Sequence, residues 1–120
     1  MKIAFTTSGE TLDAPLDSRF GRAPKFLIYD TETDTTEVVD NSRNLNAMQG
    51  AGIQSAEIVS RLGAEYLVTG HCGPKAFGAL SAAGIKIYTT NAATVREALE
   101  QLKAGNLSTA ESSDVEGHWV

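Results

Sequence analysis

Beyond Gly50 the chain alternates regularly between helical and strand-like spacing of its apolar residues, and that alternation restricts its fold more than any other feature. Ile53, Ala56, Val59 and Leu62 recur at helical intervals and predict a helix from about Gly50 to Leu62, stopped by Gly63. Glu65 to Thr69 reads as a short strand. Pro74 to Ala83 reads as a helix with proline at its first position, where no backbone donor is missed. Ile85 to Tyr88 is the last strand. A final helix is capped by Asn91 or Thr94; Thr94 with Glu97 makes a capping box, and Val95, Ala98, Leu99 and Leu102 form the buried stripe. Upstream, Lys2 to Thr7 alternates apolar with polar residues as a first strand. Phe26–Tyr29 and Thr36–Val39 flank the polar turn Thr31–Asp34 as a β-hairpin.

Strands that alternate with helices call for an α/β fold around a mostly parallel, buried sheet, with the hairpin supplying an antiparallel member. Right-handed crossovers put helices on both faces of such a sheet. Ligands of these folds collect outside the carboxyl ends of the strands. Three loops are expected to meet at that edge: Ser8 to Arg22, Gly70 to Gly73, and Thr89 to Asn91.

A chain of 120 residues suits one domain, and 42% apolar with 21% charged residues is a globular composition. The expected organisation is one domain over 1–105 and a flexible acidic tail over 106–120. No apolar run approaches the roughly 20 residues that span a bilayer. The start of the chain enters a strand pattern without a signal-peptide core, so a cytoplasmic location without membrane contact is expected. Net charge is −5, yet Asp30, Glu32, Asp34, Glu37 and Asp40 carry five negative charges in the hairpin, and Glu111, Asp114 and Glu116 three in the tail, which leaves the remainder at +3. An anion can therefore find a favourable local field. Nucleic acid is not an expected partner, since phosphate-dominated binding needs a basic face. The single cysteine, Cys72, excludes an internal disulfide and a four-thiolate cluster cage within one chain.

Two segments stand out chemically. Asp17-Ser18-Arg19-Phe20-Gly21-Arg22-Ala23-Pro24 offers two forked guanidinium donors, the Ser18 hydroxyl, and at Gly21 a backbone that admits close approach of a ligand. Phe20 either walls a pocket or plugs the core, and the arginines either grip an anion or simply face water. Gly70-His71-Cys72-Gly73-Pro74 lies where a strand ends and a helix begins, so unpaired amides point outward there. His71 and Cys72 are competent metal ligands. The opposing readings are a structural hydrogen bond for His71 and a small buried apolar side chain for Cys72. A third segment, Asn44 to Gly52, sets glycines at a helix start, either for ligand approach or for a turn. No Cys-x-x-Cys, phosphate-binding Gly-Lys-Ser/Thr loop or dinucleotide fingerprint is present.

Taken in order, the Asp17–Phe26 stretch, the hairpin, Asn44, Gly50, Gly52 and the Gly70–Gly73 turn resemble the dinitrogenase iron–molybdenum cofactor biosynthesis and binding family, over about Met1 to Leu102. The resemblance implies a ribonuclease H-like, three-layer α/β fold with a five-stranded mixed sheet. It also implies custody of a small anionic metal–sulfide cluster, molybdenum–copper–sulfide or like the iron–molybdenum cofactor, on its way to a protein partner; family members often accompany ATPases. On this reading the chain is a carrier and not an enzyme. Ser18, Arg19, Phe20, Gly21, Arg22, His71, Cys72 and Gly73 are the candidate cofactor-binding residues, with His71 and Cys72 as candidate metal ligands. Two other classes stay open: an enzyme that uses Cys72 as nucleophile or redox centre, and an adaptor that recruits a partner through its acidic hairpin or tail.

Overall fold

The computed structural model of the chain describes residues 1–41 and 51–107. Eight elements follow one another: β1 (Lys2–Thr7), β2 (Lys25–Asp30), β3 (Thr35–Asp40), α1 (Ala51–Arg61), β4 (Tyr66–Thr69), α2 (Pro74–Ala82), β5 (Lys86–Thr89) and α3 (Val95–Lys103). The five strands form one sheet in the order β3-β2-β1-β4-β5. β1 pairs parallel with β4, and β4 with β5; β1 pairs antiparallel with β2, and β2 with β3. Four strands thus share a direction and β2 opposes them. The sheet is mixed, with as many antiparallel as parallel pairings, because the hairpin docks beside the first strand and continues the sheet on that side.

β1 lies at the centre and is buried on both faces, so Ile3, Ala4 and Phe5 run consecutively apolar, and the threonines Thr6 and Thr7 that follow are buried too. Ala4 faces a cluster with Phe26, Ile28, Leu67 and Ile87, covered by Ala56 and Val59 of α1 and Ala76 and Leu80 of α2. Ile3 and Phe5 face the other way, against Leu27, Tyr29 and Val68, covered by Val95, Ala98 and Leu99 of α3. Helices therefore cover both faces, two on one and one on the other.

The element boundaries fall within one or two residues of those expected from the sequence wherever the described residues reach. α1 ends at Arg61, and the chain turns away from it at Gly63, whose φ of +80° suits glycine. Thr94 is the cap of α3, its side chain accepting the Glu97 N–H at 3.1 Å. One expected core position differs: Ile53 is exposed, at 44% of its surface. The inward stripe of α1 instead begins at Gly52, which packs against Ala76, and runs through Ser55, Ala56 and Val59. Ile53 is one residue on, about 100° around the helix. Of the expected tail, Asn106 donates its N–H to Gln101 and Leu107 packs on the α3 side of the core; positions 108–120 lie outside the described residues, as do Asn44 and Gly50.

Candidate functional site

Two of the loops expected to meet, Ser8 to Arg22 and Gly70 to Gly73, cross at the carboxyl edge of the parallel strands, and the chain after β5 joins the first of them at Ala93 and Thr94, just past the expected Thr89–Asn91. Asp17 donates its N–H to the Thr6 carbonyl at 2.8 Å, and Thr6 Oγ1 donates to the Asp17 carbonyl at 2.6 Å while lying 2.9 Å from Thr69 Oγ1. The ends of β1 and β4 are thereby tied to the start of the arginine loop. That loop then runs beside the 70–73 turn: Arg19 and His71 form a parallel bridge, and the Phe20 N–H donates to the His71 carbonyl at 3.2 Å. Gly70 makes this crossing possible, because a Cβ there would stand 2.6 Å from Ser18 Cα. Further along, Pro15 bridges Thr94, and Leu16 donates to the Ala93 carbonyl at 3.1 Å. Arg96 Nε donates to Asp13 at 2.7 Å, and that hydrogen bond, with the Arg96 charge, holds the Asp13 carboxyl below the usual range.

A cavity of about 380 Å³ opens beside the arginine loop, lined by Gly21, Arg22, Gly52, Gly73, Pro74, Lys75 and Ala76. Its walls are the loop on one side and the starts of α1 and α2 on the other. The two helix starts stand close because Gly52 carries no side chain; a Cβ there would lie 3.0 Å from that of Ala76. Buried Asn41 fixes the geometry from below. Its Nδ2 donates to the Ala23 carbonyl at 2.8 Å, its N–H to the Pro24 carbonyl at 2.7 Å, and its Oδ1 accepts from Ser55 of α1 at 3.3 Å. One side chain thus joins the end of β3, the arginine loop and α1.

The electrostatics of the cavity are one-signed among the described residues: Arg22 and Lys75 line it and no acidic side chain does. Neither α1 nor α2 has an acidic residue in its first turn, and Gly73 gives α2 no side-chain cap. α3 is built the ordinary way, with Thr94 as cap and Glu97 in its first turn. A cation such as Lys75 at a helix N-terminus opposes the helix dipole, and an anion seated there would relieve both charges.

The sequence-derived candidates divide. Gly21, Arg22 and Gly73 line the cavity. Ser18, Arg19 and His71 are exposed and lie in the crossing beside it, with the Arg19 guanidinium turned onto Asp17 at 3.4 Å. Phe20 and Cys72 point into the core, 2% and 1% exposed, and the Phe20 ring sits 5.7 Å from that of Phe26. The thiol therefore belongs to the buried cluster on the α1–α2 face of the sheet and not to the solvent surface. Among the described residues no group of three His, Cys, Asp or Glu side chains gathers to hold a metal ion. Lys75 and Asn41 were not singled out by sequence. Lys75 has a readable signal, a cation at the start of an acid-free helix behind Gly-Pro; the burial of Asn41 has none.

A three-layer α/β domain, with a mixed five-stranded sheet and a cation-flanked cavity at its carboxyl edge, defines the class. The chain belongs to the dinitrogenase iron-molybdenum cofactor family, whose sequence profile matches residues 1–105. It is similar to the orange protein of Desulfovibrio gigas, solved in its apo form, with 41% identity over 94% of this chain and 95% of that one and a TM-score of 0.91. A putative NifB protein from Thermotoga is 34% identical over 97% and 98% of the two chains, with a TM-score of 0.85. An uncharacterized protein of Methanocaldococcus jannaschii is 29% identical over 110 residues, 89% of each chain.

Proposed function

We propose that this chain binds and carries a small anionic metal–sulfide cluster, of the molybdenum–copper–sulfide or iron–molybdenum kind, held mainly by charge and hydrogen bonds rather than by thiolates. The observation that carries the reading is the cavity flanked by Arg22 and Lys75 at two helix starts without first-turn acids. Its volume lies in the usual range of ligand pockets, about 300–1,000 Å³. A polyanion with sulfide edges needs cations and N–H donors to offset its lost hydration, and this site offers both. Membership of a cofactor family supports the same conclusion. The scaffold reads as ribonuclease H-like, supported by the strand order and the lone opposed strand β2.

Delivery to a recipient protein in the cytoplasm, with an ATPase among the partners, completes the proposal. A Cys72-centred enzyme is not favoured, because a thiol 1% exposed within an apolar cluster meets no substrate without local opening. No observation favours the adaptor reading.

The test is anaerobic titration of the protein with tetrathiomolybdate, with and without Cu(I), followed by visible absorption and elemental analysis. Saturable uptake is expected, weakening with added salt. In the Arg22→Ala/Lys75→Ala double variant affinity should fall at least about tenfold, since a sheltered charge-assisted bond contributes roughly 1.5–3 kcal/mol and an exposed one less. Colourless protein, or uptake indifferent to both substitutions, would sink the proposal.

A further inference from the structure

The loop that carries Arg22 also holds an ion pair between Asp17 and Arg19. Asp17 Oδ1 accepts the Arg19 backbone N–H at 2.8 Å, and its two carboxylate oxygens lie 3.4 Å from Arg19 Nε and Nη2. The partners are held very differently. The Asp17 side chain is 11% exposed and its backbone is clamped by both hydrogen bonds to Thr6. The Arg19 side chain is 63% exposed and touches its carboxylate only at the outer limit of a hydrogen bond. Such a contact in water is cheap to break. Arg19 also stands two residues before Gly21, which lines the cavity.

We propose that Asp17 is a release-tuning residue, which competes with the anionic cargo for the Arg19 guanidinium. This rests on the cluster-carrier reading and deepens it. On loading, Arg19 leaves Asp17 and donates to the sulfide edge of the cargo. On unloading it returns to Asp17, which has not moved, because Thr6 holds its backbone. The carboxylate is thus a standing alternative partner for one of the cationic arms. A carrier has use for such a partner: binding by cations alone would make a polyanion slow to leave, and handing cargo on requires it to leave. Because the competition acts after docking, its effect falls mainly on dissociation.

Asp17→Asn separates charge from structure, since the amide Oδ1 can still accept the Arg19 N–H and both Thr6 bonds are to the backbone. Asp17→Ser, which also keeps an oxygen acceptor, is the second variant. Wild type, both variants, Arg19→Ala and Asp17→Asn/Arg19→Ala are loaded with tetrathiomolybdate and Cu(I), and release into excess chaser is followed by absorbance. Release about tenfold slower is expected for either Asp17 variant, and faster release for Arg19→Ala. In the Arg19→Ala background the Asp17→Asn effect should shrink below about threefold. Wild-type release rates in both Asp17 variants would overturn the proposal. Equal slowing with and without Arg19 would overturn it too, by showing a plain field effect instead of competition. Failure of the wild type to take up the probe would bring down the carrier reading and this proposal together, a result distinct from either of the others.

Discussion

Gly70 shows how a single residue can set the site without touching a ligand. The backbone of Ser18 crosses it so closely that an added Cβ would meet Ser18 Cα at 2.6 Å and Cβ at 2.8 Å. Gly70→Ala must therefore push the arginine loop outward, stretching the Arg19–His71 bridge and the Phe20-to-His71 hydrogen bond. Overpacking of this kind costs about 1–3 kcal/mol, to be read as a lower urea midpoint with an unchanged slope. Cargo affinity should fall as well, since Arg22 moves with the loop. The glycine-rich turn was legible in the sequence; its reason was not, because the atom that forbids a side chain is 52 residues away in the chain. Asn41 makes the same point from the other side. It opens the polar run of sequence that follows β3, yet it is 1% exposed and bonded to the arginine loop and α1. Arg22 stood out by residue type alone, and the structure places it on the cavity wall. Phe20 and Cys72, where either of two environments suits the side chain, were settled only by the packing.

At the scale of elements, the helices were the most legible part of the fold, and the least legible part was their rotation. Period alone selects Ile53 for the core, but contact between α1 and α2 is governed by the closest approach of Gly52 to Ala76, a pairing no single helix encodes. The same helix starts also separate stability from binding. α3 has the usual devices of a stable helix N-terminus, while α1 and α2 lack acids in their first turns and converge on the cavity. Thr94→Ala removes the acceptor of the Glu97 N–H and should cost about 0.5–2 kcal/mol in chemical denaturation. Ala93 and Thr94 are tied to the arginine loop through backbone, at the Pro15–Thr94 bridge and the Leu16-to-Ala93 hydrogen bond, so with these contacts kept cargo affinity in that variant should stay within about twofold of wild type at temperatures where it remains folded. A large loss of affinity would mean that the Thr94 cap itself holds the arginine loop in place through the Pro15 bridge.

Among the described residues, the acids of the hairpin turn stand at the end of the strands away from the cavity. The turn of the hairpin lies beside the start of β1, where Asp30 pairs with Lys2 in the sheet and the chain's amino group sits 3.9 Å from Asp30 and 4.0 Å from Glu32. The cavity lies at the other end of the same strands. Six residues of strand separate the two ends by about 20 Å. Three of the hairpin's five acids, Asp30, Glu32 and Asp34, are thus held at the far end, while the cations Arg22 and Lys75 line the cavity itself. Screening makes the point testable. At an ionic strength of about 0.15 M the Debye length is about 8 Å, so Glu32→Lys, a charge reversal at a side chain 82% exposed, should leave thiomolybdate affinity within about twofold of wild type. At about 0.01 M the Debye length grows to about 30 Å, the two ends of the domain come within range, and the same substitution should strengthen binding severalfold. Paired titrations at the two salt concentrations decide it. A Glu32→Lys variant that binds much more tightly at physiological salt would place the cargo near the acidic turn, at the opposite end of the sheet from Arg22 and Lys75.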